Sequence, residues 1–241
     1  MARRIALAGA FAVGAYLLGL VALHGQSAAS APRIGTAVSV VHRAPAGPKP
    51  GTLIAVVRRE IVVRSAPNGP VLARVLPRTE FGSQQTLAVT RATRVGFSVI
   101  STTVPNGRTG WIARSGLRLR RTRISLEVDL SKQLLRVREG GRVVRRIRVG
   151  IGAPGTRTPI GRFAITDKLN GAAYSPVYGC CILALSGHQT NLPRGWTGGD
   201  RLAIHGGPLG AVSTGCLHAP TAALRYLMRS VPLGAQILIH P

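Results

Sequence analysis

The chain is expected to be mainly β, two units in series with a single helix near the C-terminus. Three observations carry that expectation. Short apolar runs recur between Leu53 and Ile112, separated by turn chemistry such as Pro67-Asn68-Gly69-Pro70 and Pro105-Asn106-Gly107. Ile124, Leu126, Val128 and Leu130 then alternate strictly with other residues, the period of a half-buried strand. One segment, Thr221 to Arg229, carries helical apolar spacing, and Pro220 before it suits a helix's first turn. At 241 residues the chain is long enough for two modest cores.

Taken in order, Met1 to Leu23 places Arg3 and Arg4 before an uncharged apolar run from Ile5, followed by small residues ending in Ala29-Ser30-Ala31. This is the layout of a secretory signal. The run is also about long enough to span a bilayer, so residues 1–31 read as a signal peptide or as a retained membrane anchor. Either way the remainder is expected to be exported. Residues 32–51, with Pro32, Pro45, Pro48 and Pro50, read as an extended linker.

Residues 52–120 read as an all-β unit of short strands over Leu53–Val57, Ile61–Val63, Val71–Val75, Thr86–Val89, Phe97–Ile100 and Gly110–Ile112. No catalytic constellation appears among them. Arg118, Arg120, Arg121 and Arg123 read as a solvated connector, or as a patch for an anionic wall. Residues 121–241 form the second unit. Leu134 to Arg138, Gly140-Gly141 and Arg142 to Val149 read as a hairpin. Thr158-Pro159 through Ile165, Ile182 to Leu185, residues 201–205 and Ala235 to Ile239 supply further strands around the one helix.

Charge limits the choice of partner. The 32 basic residues against 7 acidic ones give a formal net charge of +25, spread over strands and loops. Such a field attracts nucleic acid, anionic lipid or anionic wall polymer alike. Export demotes nucleic acid, and with aromatics at only 4% there is no base-reading or stacking pattern.

The stretch with chemistry in it is Ile204-His205-Gly206-Gly207 through Ser213-Thr214-Gly215-Cys216-Leu217-His218-Ala219-Pro220. It brings two imidazoles and a thiol together among small residues that leave room for a substrate. Residues 201–205 alternate as a strand ending at His205. Cys216 is expected just before a helix N-terminus, where the dipole favours thiolate, the form that attacks carbonyls. The remaining cysteines, Cys180 and Cys181, are adjacent. Neighbours rarely bridge, so they read as small buried hydrophobes. A zinc site from His188, His205, Cys216 and His218 has acceptable ligand types but no tight paired spacing.

Three separated pieces together resemble the L,D-transpeptidase catalytic domain of the YkuD type. They are Val128-Asp129-Leu130-Ser131-Lys132-Gln133-Leu134, Thr158-Pro159-x-Gly161-x-Phe163, and Ile204-His205-Gly206 followed by Ser213-x-Gly215-Cys216. The likeness covers about residues 123–241. Val104-Pro105-Asn106-Gly107 through Gly110-Trp111-Ile112 is similar to the end of a bacterial SH3-like domain, as found in some exported members. The fold implied is a small SH3-like barrel followed by a YkuD-type β-sandwich with one helix after the cysteine.

By that resemblance Cys216 is the nucleophile and His205 its base, Gly206 orients the histidine through its carbonyl, and the N–H groups of Gly215 and Cys216 support the oxyanion. Ser213, Thr214 and His218 fall at substrate-binding positions. The family usually has histidine where Thr214 stands and arginine or asparagine where His218 stands, and the eleven-residue interval from His205 to Cys216 is shorter than its usual loop. The implied activity is formation of peptidoglycan cross-links through a Cys216 thioester of a peptide stem, hence cell-wall biogenesis and cell shape, with no metal or organic cofactor. Water as acceptor makes the enzyme an L,D-carboxypeptidase. A non-catalytic protein binding the cell wall through its basic surface is the competing reading. Implied partners are peptidoglycan stems and an anionic wall polymer or membrane surface; the oligomeric state is unknown.

Overall fold

The computed structural model describes residues 51–241; the signal or anchor and nearly all of the linker lie outside the described residues. Residues 52–122 form one antiparallel sheet of β1 (Thr52–Val57), β2 (Ile61–Arg64), β3 (Val71–Val75), β4 (Thr86–Ala92), β5 (Gly96–Ile100), β6 (Gly110–Ala113) and β7 (Leu117–Thr122). Their spatial order is β3-β2-β6-β5-β4-β1-β7. Alternate residues point to one face, and Ala55, Val57, Val63, Leu87, Phe97, Val99 and Ile112 meet there as a dry cluster. The arginine-rich stretch expected as a connector is instead the strand β7. It pairs with β1 along its whole length, Leu117 against Val57 through Thr122 against Thr52. The alternation of Leu117 and Leu119 with arginines suits a half-exposed edge strand, where the guanidiniums stay in water.

The second half follows after a single residue, Arg123. Its strands are β8 (Ile124–Asp129), β9 (Leu134–Glu139), β10 (Arg142–Arg148), β11 (Ile151–Gly152), β12 (Gly161–Asn170), β13 (Cys181–His188), β14 (Arg201–His205), β15 (Ala211–Ser213) and β16 (Leu217–His218). The helix α1 (Thr221–Ser230) and β17 (Gln236–His240) complete it. Eight strands form a mixed sheet in the order β10-β9-β8-β17-β12-β13-β14-β16, and β11 pairs with β15 beside it. The mainly β expectation with one helix holds here. Pro220 is the helix N-cap, where its missing N–H costs nothing. Leu224 and Leu227 on α1 are fully buried with Phe163, Leu183, Ile204 and Leu217.

Asp129 explains why the β8–β9 turn is written Asp-x-Ser-Lys. Its carboxylate accepts from Ser131 Oγ (2.7 Å), Lys132 N (3.0 Å) and Lys132 Nζ (2.9 Å), and Gln133 takes the left-handed conformation (φ 48°). This is an Asx-type turn. The two sheets belong to one compact unit, residues 46–241. Ala88 and Ile100 of the first sheet pack on Ala164 of β12, and Asn106 exchanges two hydrogen bonds with the backbone of His188 (2.6 and 3.0 Å). No helix among the described residues is long and apolar enough to cross a membrane.

Candidate active site

The site grows out of the pairing of β14 with β16. They run parallel, with Ile204 opposite Leu217 and His205 opposite His218. Side chains alternate along a strand, so Arg201, Ala203 and His205 share one face with His218 and, one pleat earlier, Cys216. Cys216 and His205 line the same cavity of about 270 Å³, whose walls include Phe81, Tyr174, Tyr178 and Arg201. Sγ of Cys216 lies 3.9 Å from the carbonyl of Arg201, a weak contact that seats the thiol over β14.

His205 is held on three sides. Nδ1 lies 2.6 Å from the carbonyl of Gly206, which as a pure acceptor requires the proton on Nδ1 and leaves Nε2 unprotonated in the neutral ring. Tyr178 packs edge-on against the imidazole, ring centroids 4.8 Å apart. On the other side His218 lies at the same 4.8 Å, its Nδ1 donating to the carbonyl of Pro208 at 2.8 Å. Burial pulls the His205 pKa down to about 4; the Gly206 bond opposes the fall and His218 adds to it. Burial likewise pushes the Cys216 thiol up. The resting pair is therefore neutral thiol and neutral imidazole.

This corrects the expected electrostatics of the cysteine. The helix starts at Thr221, and the short strand β16 stands between it and Cys216. The dipole's influence is confined to the first turn, so burial decides.

The loop from Gly206 to Cys216 is stitched to its surroundings by backbone bonds. Gly206 N–H donates to Tyr178 O (2.8 Å), Ile151 N–H to Gly210 O (2.7 Å), and Ala153 N–H to Ser213 O (2.8 Å). Ser213 is buried: its Oγ accepts from Gly215 N–H (3.1 Å) and donates to Cys216 O (2.6 Å). Its hydroxyl is thus used inside the loop, and the Gly215 N–H already has an acceptor. Gly215 has φ 110°, and a Cβ there would stand 2.1 Å from Gln189 Nε2. Gln189 is the organiser that sequence reasoning missed. Its amide donates toward Thr156 O, Arg157 O and Thr214 O (3.1–3.2 Å) while Oε1 accepts from Asn191 N–H. Thr214 enters this network through its carbonyl, half-buried. His218, expected at a substrate-binding position, packs against His205 and is not among the residues lining the cavity.

The structure brings His205, His218 and Cys216 together but not His188. That imidazole faces Asp200 and Thr102 O, each at 2.9 Å. Among the described residues no group of three or more His, Cys, Asp or Glu side chains is placed to hold a metal ion.

Cys180 and Cys181 are disulfide-bonded to each other, which corrects their reading as two separate apolar thiols. In a regular strand neighbouring side chains point to opposite faces and such a bridge is excluded. Cys180 is the last residue of the turn after Gly179, and β13 begins only at Cys181, so the pleat does not separate the sulfurs. Cys216 is left as the free cysteine.

Residues 123–239 match the family model of YkuD, the L,D-transpeptidase catalytic domain. Over just under half of the chain, this segment is similar to a YkuD domain. A comparison with curated proteins found no match. Solved structures similar to the chain include a mutant L,D-transpeptidase of Enterococcus faecium, at 17% identity over 64% of this chain and 74% of that one with a TM-score of 0.40. L,D-transpeptidase 1 of Mycobacterium tuberculosis aligns at 17% identity over 55% and 77%, TM-score 0.37. The L,D-transpeptidase of Xylanimonas cellulosilytica aligns at 28% over 49% of this chain and 61% of that one, TM-score 0.34. This chain therefore spans less than two thirds of the Xylanimonas protein's length.

Proposed function

We propose that the YkuD domain of this chain is a cysteine acyltransferase that forms peptidoglycan cross-links between peptide stems. The observation that carries the reading is the shared cavity of Cys216 and His205, with the imidazole locked by Gly206 O in the tautomer whose Nε2 accepts a proton. A stem carbonyl enters beside Sγ. As the S–C bond forms, His205 takes the thiol proton, because both groups rest neutral. The amide C–N bond to the terminal residue then breaks, and His205 returns the proton to the departing amine. The stem remains as a Cys216 thioester. An amine of a neighbouring stem attacks it and releases the thiol; water in that place makes the product of a carboxypeptidase. Since Gly215 N–H is engaged by Ser213, we assign oxyanion support to the N–H of Cys216.

His218 and Thr214 are read here as supports, the first for His205 and the second for the Gln189 network. The same proposal has the chain exported by residues 1–31, residues 52–120 serving as an SH3-like module, and the +25 net charge holding the enzyme to anionic wall polymer or membrane surface.

Intact-mass measurement on the chain incubated with a carbapenem tests the reading, alongside Cys216→Ser and His205→Ala. One adduct that needs Cys216 and forms more slowly without His205 is expected. A folded chain that takes no adduct would leave a site turned to wall binding without turnover.

A further inference from the structure

The cavity above Cys216 is not closed by the YkuD domain alone. Part of its wall is Phe81, carried on the loop between β3 and β4 of the N-terminal half. Three consecutive residues dock that loop. Thr79 Oγ1 donates to Asp167, a carboxylate with no exposed surface, at 2.5 Å. Glu80 forms an ion pair with Arg201. Phe81 lies under the same guanidinium, 5.8 Å from ring centroid to Cζ, and edge-on to Tyr174 at 6.2 Å.

Neither side of this contact is loose. Arg201 also donates to Thr166 Oγ1 (2.8 Å) and to Leu185 O (2.7 and 3.0 Å), which fixes it on the floor of the cavity. The loop is cross-braced by Thr79 N–H to Ser83 O (2.9 Å), Gln85 N–H to Pro77 O (2.8 Å) and Gln84 Nε2 to Val57 O (2.7 Å). An aromatic ring on a braced loop makes a wall of defined position.

We propose that Phe81 determines which acyl donors reach Cys216, admitting compact peptide termini and excluding bulky ones. The N-terminal half is then a specificity element of the catalytic site. The inference rests on the acyl-transfer reading for its substrate class, and on geometry alone for its wall. A volume of about 270 Å³ holds about nine waters at ~30 Å³ each, the size of a short peptide end. The lining agrees with that occupant: Phe81, Tyr174, Tyr178, Leu169 and Ile182 offer apolar surface to alanine-like side chains.

The test uses the size of thiol reagents, which need no enzymatic turnover. Cys216 in the full chain is alkylated with iodoacetamide and, separately, with a bulky aryl maleimide, and the site is read by mass spectrometry in Phe81→Ala and Phe81→Trp. The bulky-to-small rate ratio is expected to rise about tenfold in the alanine variant, the scale on which a pocket wall discriminates by size, and to fall below wild type in the tryptophan variant. Loss of folding moves both ratios the same way, so opposite shifts separate a wall from a merely structural ring. A ratio unchanged in both variants, or shifted in one direction by both, overturns the proposal. Carbapenem acylation of the same proteins runs beside it. Opposite alkylation shifts without any wild-type adduct would leave the wall standing and refute the acyl-transfer reading instead.

Discussion

The two sheets of this molecule bury different things. The sheet of residues 52–122 has Gln85, Thr86, Ser101 and Thr122 as its buried polar residues, none of them titratable. The second half buries Asp129, Asp167, His205 and His218. Enclosing an ionisable group costs stability unless partners compensate it, so a fold concentrates such groups where chemistry or a tight turn requires them. Asp129 is accounted for by its turn; Asp167 accepts from the docked Thr79 through Oδ1, while its buried Oδ2 has no hydrogen-bond partner. The two imidazoles remain: His205 shares the cavity of the one free thiol, and His218 packs against His205. The first half contributes shape to the site and the second contributes its reactive groups.

The sharpest way to break that division is to remove a reactive group and leave the packing. His205→Ala is expected to slow Cys216 acylation by about 10²–10⁴-fold, the usual worth of a positioned general base. Stopped-flow or timed mass spectrometry reads the rate. His218→Ala, which removes a neighbour with no place in the cavity lining, should cost far less. Equal losses in the two variants would move the base, or make the pair act as one.

Titration sharpens the same contrast. His205 has a folded pKa of about 4 against an ordinary 6.5, so between those values the unfolded chain binds a proton that the folded chain does not. Its contribution to stability is complete above pH 6.5 and is lost as pH falls toward 4, by about 3 kcal/mol at most at 1.36 kcal/mol per unit. The stability gap between wild type and His205→Ala in denaturant melts should be constant above pH 6.5 and narrow as pH falls toward 4. Parallel curves would show that burial does not disfavour the charged ring.

Much of this was legible in the sequence, for reasons that differ by element. Strands such as Arg201–His205 and the hairpin over Gly140-Gly141 announce themselves by period and by turn residues, because burial on one face imposes the alternation. The YkuD match was legible from motifs whose spacing follows the chain. Strand β7 was hidden because its arginines read as a solvated connector, although an edge strand exposes one side anyway. The Cys180–Cys181 bridge was hidden because the rule against neighbours holds inside a strand and fails at a strand's first residue. Phe81, Tyr178 and Gln189 were hidden for a third reason. Each reaches the site from a distant segment, and no local pattern marks a side chain by what it will meet across the fold.

Gln189 gives the smallest and most discriminating effect. It is buried, lies in neither the cavity lining nor the reacting set, and holds three carbonyls around the loop that carries Cys216. Gln189→Ala strands those acceptors and opens space against Gly215, where a Cβ would collide with the native amide. Leaving buried acceptors unsatisfied costs about 1–3 kcal/mol, so the thermal midpoint should fall by a few degrees. A loop that no longer presents Cys216 squarely also acylates more slowly, yet the acid limb of the pH–rate curve, which belongs to His205, stays in place. Gly215→Ala should compound the loss less than additively, because both changes dismantle one contact. If Gln189→Ala lowers stability and leaves the acylation rate intact, the amide serves the fold alone, and the Cys216 loop is held by Ser213 and its own backbone bonds.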